Sequence, residues 1–255
     1  MATDQATVLE TRDLSISFGG HVAVNAVSCS FHPGTLTAIV GPNGAGKTTY
    51  FNLISGQLRA TAGQVLFAGT DITAQSASER ARHGLGRAFQ LTNLFPYLSV
   101  HENVRLAVQS RCRVGLDLIR TWKSHTELID EADDVLRQVG LTARRDLRAG
   151  LLPHGDQRKL EVAILLALRP RVFLFDEPTA GMSVDEVPVI LDLIHAIKNN
   201  RDRTILLVEH KMDIVRSLAD RIVVLHNGEL VADGDPASVI ASPVVQEAYL
   251  GAANV

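Results

Sequence analysis

The stretch LTAIVGPNGAGKTTYFNLIS, residues 36–55, joins an apolar run to a glycine-rich loop and then to a second, largely apolar segment. The run predicts a short strand over 36–40, and the residues after the loop predict a helix over 48–55 that ends at Gly56. The loop GPNGAGKT fits the pattern G-x-x-x-x-G-K-[ST] throughout. A chance glycine turn would need neither flank, so the whole stretch predicts a phosphate-binding loop in an α/β fold.

Each residue type in this loop has a physical reason to be there. Glycines let backbone N–H groups curl around phosphates, and the positive end of the following helix adds to the attraction. Lys47 brings a cation to the β- and γ-phosphates of a nucleotide, and Thr48 offers a hydroxyl to Mg²⁺. The predicted nucleotide contacts are Gly41, Pro42, Asn43, Gly44, Ala45, Gly46, Lys47, Thr48 and Thr49.

The rest of the chain alternates between strand and helix patterns. Strand patterns occupy 8–18, 22–31, 63–67, 172–175, 204–208 and 221–226. Helix patterns at 187–198 and 211–219 separate the last three strands, which predicts a mainly parallel sheet. Residues 92–169 are mostly helical in pattern, with an amphipathic helix over 130–140 and an irregular insertion over 111–125.

These patterns predict a single domain over residues 1–255 of class α/β. Its P-loop core is expected at about 1–91 and 170–255, with an antiparallel β-subdomain early in the chain. A helical subdomain is expected at about 92–169.

Composition excludes several functional classes. The 25 Lys and Arg against 28 Asp and Glu, a net charge of −3, give no electrostatic attraction to DNA or RNA, so no nucleic-acid partner is expected. Cys29 and Cys112 have neither metal-site spacing nor a disulfide framework and are expected as reduced thiols. Residues 1–6 lack a signal-peptide core, and the apolar run 162–168 is too short to span a membrane. We therefore expect any membrane role to come through a partner subunit.

Two acids, Asp176 and Glu177, follow the apolar strand pattern near residue 172. A carboxylate at that strand end can reach a Mg²⁺ ion at the P-loop, which is the role predicted for Asp176. Neighbouring strand residues point to opposite faces, but the chain is turning at Glu177. Glu177 can then face the γ-phosphate and orient the attacking water as a general base.

The hexapeptide Leu152-Pro153-His154-Gly155-Asp156-Gln157 makes the resemblance specific. With the P-loop and the two acids, it resembles the nucleotide-binding subunits of ABC transporters over about residues 8–250, with LPHGD where that family has LSGGQ. The resemblance implies ATP hydrolysis with ATP and Mg²⁺ bound between two subunits. Pro153, His154, Gly155 and Asp156 would then contact the ATP held by the opposite subunit.

Three further residues take roles only from this resemblance. Gln90 matches the Q-loop glutamine, a γ-phosphate sensor and Mg²⁺ contact, and His210 matches the switch histidine. Phe18 stands where the family has an aromatic residue that stacks on adenine. Taken singly, Gln90 is read as surface, His210 as a turn residue and Phe18 as core. The ordered agreement of all the motifs favours the functional roles of Gln90 and His210, whereas both readings of Phe18 stay open.

Within the family, several strings resemble the ATPases of branched-chain amino acid importers. They are FQLTNLF at 89–95, HGDQRKLE at 154–161, VEH at 208–210 and YLG at 249–251. ATPases of urea or lipopolysaccharide transporters have similar strings, so these substrates stay open. A soluble ABC ATPase without transport and a scaffold subunit that binds ATP without hydrolysing it also stay open as functions.

Pro153 departs from the family pattern because proline has neither a hydroxyl nor an N–H group to offer a phosphate. In a homodimer both ATP sites would lose that contact, and in a heterodimer only the partner's site would. Our hypothesis is a heterodimer with a second ATPase subunit. His154 is either a replacement donor or an idle loop residue.

The resemblance also implies partners and a location. Transmembrane permease subunits would dock near residues 91–97, with Phe95 and Tyr97 as anchors, although Phe95 is equally well explained as subdomain core. A periplasmic or extracytoplasmic binding protein would act indirectly. The chain would lie peripherally at the cytoplasmic face of the cell membrane.

Overall fold

A computed structural model describes residues 7–88, 94–113 and 126–251, with the side chains up to residue 247. The chain forms two compact units. The first contains the chain up to Leu85, Arg171–Glu177 and the chain from His195 onward, and the second contains Gly86–Pro170 and Pro178–Ile194. The second unit thus contains the predicted helical region and also a segment that follows Glu177. That residues 1–255 form one domain stays a prediction.

The described part of the first unit begins with an antiparallel sheet of order β2-β1-β4-β5. Its strands are β1 (Leu9–Phe18), β2 (His21–Phe31), β4 (Ala62–Phe67) and β5 (Thr70–Asp71). Leu9 pairs with Phe31 at one end of the first hairpin and Phe18 with His21 at the other, next to the turn at Gly19-Gly20. Inward-facing Leu9, Leu14 and Ile16 are buried. This sheet is the predicted β-subdomain.

The second sheet of the described chain has the order β10-β9-β3-β8-β7-β6. Its strands are β3 (Leu36–Val40), β6 (Leu85–Ala88), β7 (Val172–Asp176), β8 (Thr204–Val208), β9 (Arg221–His226) and β10 (Glu229–Gly234). The strands β3, β7 and β8 are parallel and buried along their whole length, as helix-covered strands require. Their carboxyl ends meet at one edge, where Asp176 pairs with Val208. That edge is where ligands bind in sheets of this kind.

Nine helices lie in the described ranges. They are α1 (Lys47–Ser55), α2 (Ala77–His83), α3 (Val100–Cys112), α4 (Thr126–Gln138), α5 (His154–Leu168), α6 (Val187–Lys198), α7 (Met212–Leu218), α8 (Pro236–Ala241) and α9 (Pro243–Gly251). In the second unit α3 packs against α4 and α5. Within the described ranges no helix has the length and apolarity needed to cross a bilayer.

Arg80 of α2 fixes the carboxyl end of α1 in the first unit. Its guanidinium donates to the carbonyl oxygens of Leu53 and Ile54 at 2.6 and 2.7 Å, and the residue is 1% exposed. A cation there complements the negative end of the helix dipole. Gly56, predicted to end this helix, does so in the left-handed conformation at φ 78°.

Most predicted elements are confirmed to within a few residues. The helix expected over 130–140 runs from Thr126 to Gln138, so the prediction missed its first turn, which contains Leu128 and Ile129. The elements β6, β10, α8 and α9 were not predicted, and β10 runs antiparallel to β9, whereas β9, β3, β8 and β7 are parallel. Residues 114–125 of the expected insertion lie outside the described residues.

Candidate nucleotide-binding site

The predicted P-loop connects β3 to α1 and borders a cavity of about 340 Å³ in the first unit. The lining residues are His21, Ala23, Asn43, Gly44, Ala45, Gly46, Lys47, Thr48, Thr49, Glu177 and His210. The cavity therefore brings together the later part of the loop, one of the two acids and the predicted switch histidine. Its volume lies within the usual range for small-molecule sites.

Glycine is required at two positions of the loop for reasons of space and conformation. A Cβ atom on Gly41 would lie 2.1 Å from the carbonyl oxygen of Leu225, and one on Gly46 would lie 2.5 Å from that of Ala23. Gly46 is also left-handed at φ 93°. Only glycine allows this close approach of backbone to backbone, so the loop's shape is set by its sequence.

Helix α1 begins at Lys47 with its amino end at the cavity. Its N-cap is Gly46, and no side chain of the described chain caps it through a hydrogen bond. The first amides of a helix have no partners inside the helix and carry the positive end of its dipole. This end of α1 is suited to bind a phosphate.

Lys47 is 6% exposed, and its ammonium donates to the carbonyl oxygens of Gly41 and Pro42 at 2.8 and 2.9 Å. Burial lowers the pKa of this group, and the charges of Glu177 and Asp176 act in the opposite direction. The cation is thus held against the loop beside two carboxylates, whereas its predicted contact with nucleotide phosphates stays a prediction.

Glu177 and His210 form a direct contact at the carboxyl ends of β7 and β8. The Nε2 atom of His210 lies 2.7 Å from Oε1 of Glu177. Glu177 has a left-handed backbone at φ 48°, and its N–H group donates to the carbonyl oxygen of Val208 at 2.9 Å. A non-glycine residue in that conformation is strained and is typical of functional sites. The expected chain turn at Glu177 is confirmed.

Asp176 ends β7 and is 2% exposed, near enough to Lys47 to act on its pKa. The Thr48 hydroxyl and this carboxylate are oxygen donors of the type that Mg²⁺ prefers. Groups of three or more His, Cys, Asp or Glu able to hold a metal do not occur in the described ranges. The donor set therefore fits an ion whose remaining ligands are phosphate oxygens and water.

Two residues before the loop also bear on the site. Phe18 is 47% exposed, so its alternative reading as core is wrong, and it pairs in register with His21. His21 and Ala23 line the cavity and were missed, although their position just after the Gly19-Gly20 turn was available as a signal. Stacking of Phe18 on adenine stays a prediction.

The hexapeptide lies in the second unit at the start of α5. Pro153 is its N-cap, with φ −55° and ψ 155°, and no described side chain caps this helix through a hydrogen bond. The Asp156 carboxylate lies 2.8 Å from the side-chain nitrogens of both Arg144 and Lys159. Its charge is thereby balanced, whereas contacts of Pro153, His154, Gly155 and Asp156 with ATP stay predictions.

Of the residues predicted to contact phosphate or a permease, Gln90 lies outside the described residues, as do residues 91–93. Phe95 is 58% exposed and Tyr97 is 84% exposed, so Phe95 is not core. Both aromatic side chains are therefore accessible to a partner.

Comparison with known proteins agrees with this geometry. The family described as "ABC transporter" matches residues 24–180, and the family described as "Branched-chain amino acid ATP-binding cassette transporter" matches residues 229–254. The "High-affinity branched-chain amino acid transport ATP-binding protein LivG" of Escherichia coli (strain K12) is 36% identical, covering 96% of this chain and 98% of its own. The protein named BraF in Pseudomonas aeruginosa is likewise 36% identical over the same shares.

A solved structure gives the same result for the fold. The crystal structure of the ADP conformation of an ATP-binding cassette of an ABC transporter superposes with a TM-score of 0.82 at 30% identity. It covers 96% of this chain and 99% of its own. The chain therefore belongs to the ABC transporter family, in which it is an ATP-binding, ATP-hydrolysing cassette similar to those of branched-chain amino acid transport.

Proposed function

We propose that this cassette hydrolyses ATP to power the import of branched-chain amino acids. The single observation that carries the catalytic part is the 2.7 Å contact between Glu177 and His210 at the wall of the P-loop cavity. The substrate class rests on the names of LivG and BraF and on the match at residues 229–254.

In the proposed reaction the chain's own residues divide the work. Lys47 and the amino end of α1 bind and orient the phosphates of ATP. Glu177 accepts a proton from the attacking water, and the contact with His210 fixes the direction of its carboxylate. Thr48 and Asp176 would hold Mg²⁺, which supplies positive charge to the phosphates when bound.

ABC transporter ATPase subunits work with transmembrane permease components. We propose that this chain docks on them peripherally, at the cytoplasmic face of the membrane, through the exposed Phe95 and Tyr97. Exposed aromatic side chains often dominate protein interfaces. A binding protein outside the membrane would deliver the substrate to the permease.

Substrate class is tested with the whole transporter, isolated through an affinity tag on this chain and reconstituted in proteoliposomes with ATP inside. We expect ATP-dependent accumulation of leucine inside the vesicles, because only transporters whose cassettes face the lumen are energised, and none with the Glu177→Gln variant. Transport of urea in place of leucine would overturn the substrate class but keep the ATPase. ATP turnover that no permease stimulates would instead favour a soluble ABC ATPase without transport.

The second ATPase subunit is proposed to be a different chain, since a homodimer would place Pro153 at both ATP sites. Sedimentation of the Glu177→Gln variant with saturating ATP tests this. We expect a monomer at micromolar concentration, and a stable homodimer would contradict the proposal. A non-hydrolysing scaffold role is disfavoured because Glu177 and His210 form the contact that hydrolysis requires.

A further inference from the structure

The Glu186 side chain lies against Gly155, the second residue of α5, within the second unit. A Cβ atom on Gly155 would be 1.9 Å from Oε1 of Glu186, 2.5 Å from its Cδ and 3.1 Å from its Cγ. The carboxylate thus occupies the space that a side chain at Gly155 would need. A side chain at Gly155 would therefore require the Glu186 carboxylate to move.

Ser183 holds the carboxylate in this place. The N–H and hydroxyl groups of Ser183 donate to Oε2 of Glu186 at 3.1 and 3.0 Å, and the N–H groups of Glu186 and Val187 return bonds to the Ser183 carbonyl oxygen. The arrangement resembles a capping box at the start of α6. It leaves Oε1 turned towards Gly155.

The charge of Glu186 is balanced less well than that of its neighbour Asp156. Asp156 has ion pairs with Arg144 and Lys159, whereas no Lys or Arg of the described chain forms one with Glu186. The Ser183 backbone hydrogen bond is the main cause that lowers the pKa of Glu186, so it is ionised at neutral pH. A negative charge therefore stands beside the uncapped amino end of α5.

Capping alone does not explain this position. Two other capping boxes, Ser76 with Glu79 and Ser99 with Glu102, begin α2 and α3 with the same chemistry. Glutamine serves as well as glutamate in such a box. The Glu186 oxygen that is not bonded to Ser183 also lies against Gly155, in the first turn of a second helix, α5.

We infer that Glu186 is a positioning residue whose negative charge weakens the binding of a phosphoryl group at the amino end of α5. The inference rests on the proposed function, in which this helix end meets the terminal phosphate of ATP on the second subunit. An arriving phosphate meets a like charge at Gly155 and must displace or tolerate it. Because of Glu186, the site that holds ATP on the second subunit closes against α5 only when its ATP occupancy is high.

The direct test is a Glu186→Gln substitution, which removes the charge and keeps an oxygen for Ser183. The matched control is Glu102→Gln, which makes the same change in the capping box at the start of α3 in the same unit. We expect Glu186→Gln to tighten phosphate binding at α5 by about fivefold at low ionic strength. The gain should shrink at 1 M salt, where charges are screened beyond roughly 3 Å.

The probe is inorganic phosphate titrated into the full chain, followed by the amide resonances of Gly155 and Lys47. Lys47 reports the P-loop, and Gly155 reports α5. If neither amide responds, phosphate binding itself, and with it the proposed function, fails.

A second result is that the Lys47 amide responds to phosphate while the phosphate affinity measured at Gly155 is no tighter in Glu186→Gln than in the wild type. That result would overturn the inference about Glu186 and leave the proposed function intact. A tightening in the Glu102→Gln control, or one that persists unchanged at high salt, would also overturn it. Thermal unfolding of each variant shows whether Glu186→Gln keeps the fold, as its retained bond to Ser183 leads us to expect.

Discussion

Two helices of this protein, α1 in the first unit and α5 in the second, present amino ends that no described side chain caps through a hydrogen bond. They differ in the charge placed beside them. The cation of Lys47 lies at α1, and the carboxylate of Glu186 lies at α5. The amino end of any helix attracts anions, and a neighbouring charge strengthens or weakens that attraction. We propose that the end of α1 binds phosphate strongly and that the end of α5 binds it more weakly.

The largest effect is expected at the first site, from Glu177→Gln. Removing the general base should lower kcat for ATP by roughly 10²- to 10⁴-fold while changing KM little. Steady-state ATPase assays of the assembled transporter measure this. Glu102→Gln, a change of the same kind at a residue that does not line the cavity, should leave kcat unchanged, and a fall in both variants would contradict the role of Glu177.

Lys47→Met should weaken ATP binding by roughly 100-fold, since contacts between charged groups contribute about 1.5–3 kcal/mol each. Calorimetric titration of ATP into the chain measures the affinity. Lys159→Met is the control in α5, because Lys159 pairs with Asp156 and is not expected to contact ATP bound to this chain's own P-loop. Equal losses of ATP affinity in the two variants would contradict the proposed difference in phosphate binding between α1 and α5.

Gly155→Ala should destabilise the fold by about 1 kcal/mol or less, because its methyl group meets the end of the flexible Glu186 side chain, which can move aside at the cost of its hydrogen bonds to Ser183. In a Glu186→Ala background the same change should be neutral or stabilising, since alanine is the better helix former. Urea unfolding of the wild type, the two single variants and the double variant gives the coupling energy between positions 155 and 186. Gly41→Ala offers a contrast, because its clash is with the Leu225 backbone and removal of a side chain cannot relieve it.

The smallest effect concerns pH and Lys47, whose pKa in the folded chain lies below the usual 10.5. Between the two values the unfolded chain binds more protons than the folded chain. The free energy of unfolding should therefore rise with pH through that window and level off above 10.5. The measurement compares the free energy of unfolding of the wild type with that of Lys47→Met at each pH. A difference that falls with rising pH over the same window would contradict the burial of this ammonium.

The strands of the parallel sheet could be predicted closely because they are buried on both faces and read as continuous apolar runs. Edge strand β10 could not be predicted, because its sequence ELVADG contains only two large apolar residues, Leu230 and Val231, and ends in polar or small residues. The P-loop, Asp176 and Glu177 could be predicted from the spacing of their motifs. His21 was missed because its place at the cavity depends on a hairpin that folds it back to Phe18.

The sequence by itself determined the phosphate-binding loop, the strand that carries the two acids and the family to which the chain belongs. Local spacing sufficed there, because backbone amides, glycine conformations and strand ends follow from neighbouring residues. Only the tertiary structure decided that Glu177 contacts His210 and that Glu186 covers Gly155. Residues 177 and 210, like 155 and 186, are about 30 positions apart, so only the chain topology brings their atoms into contact.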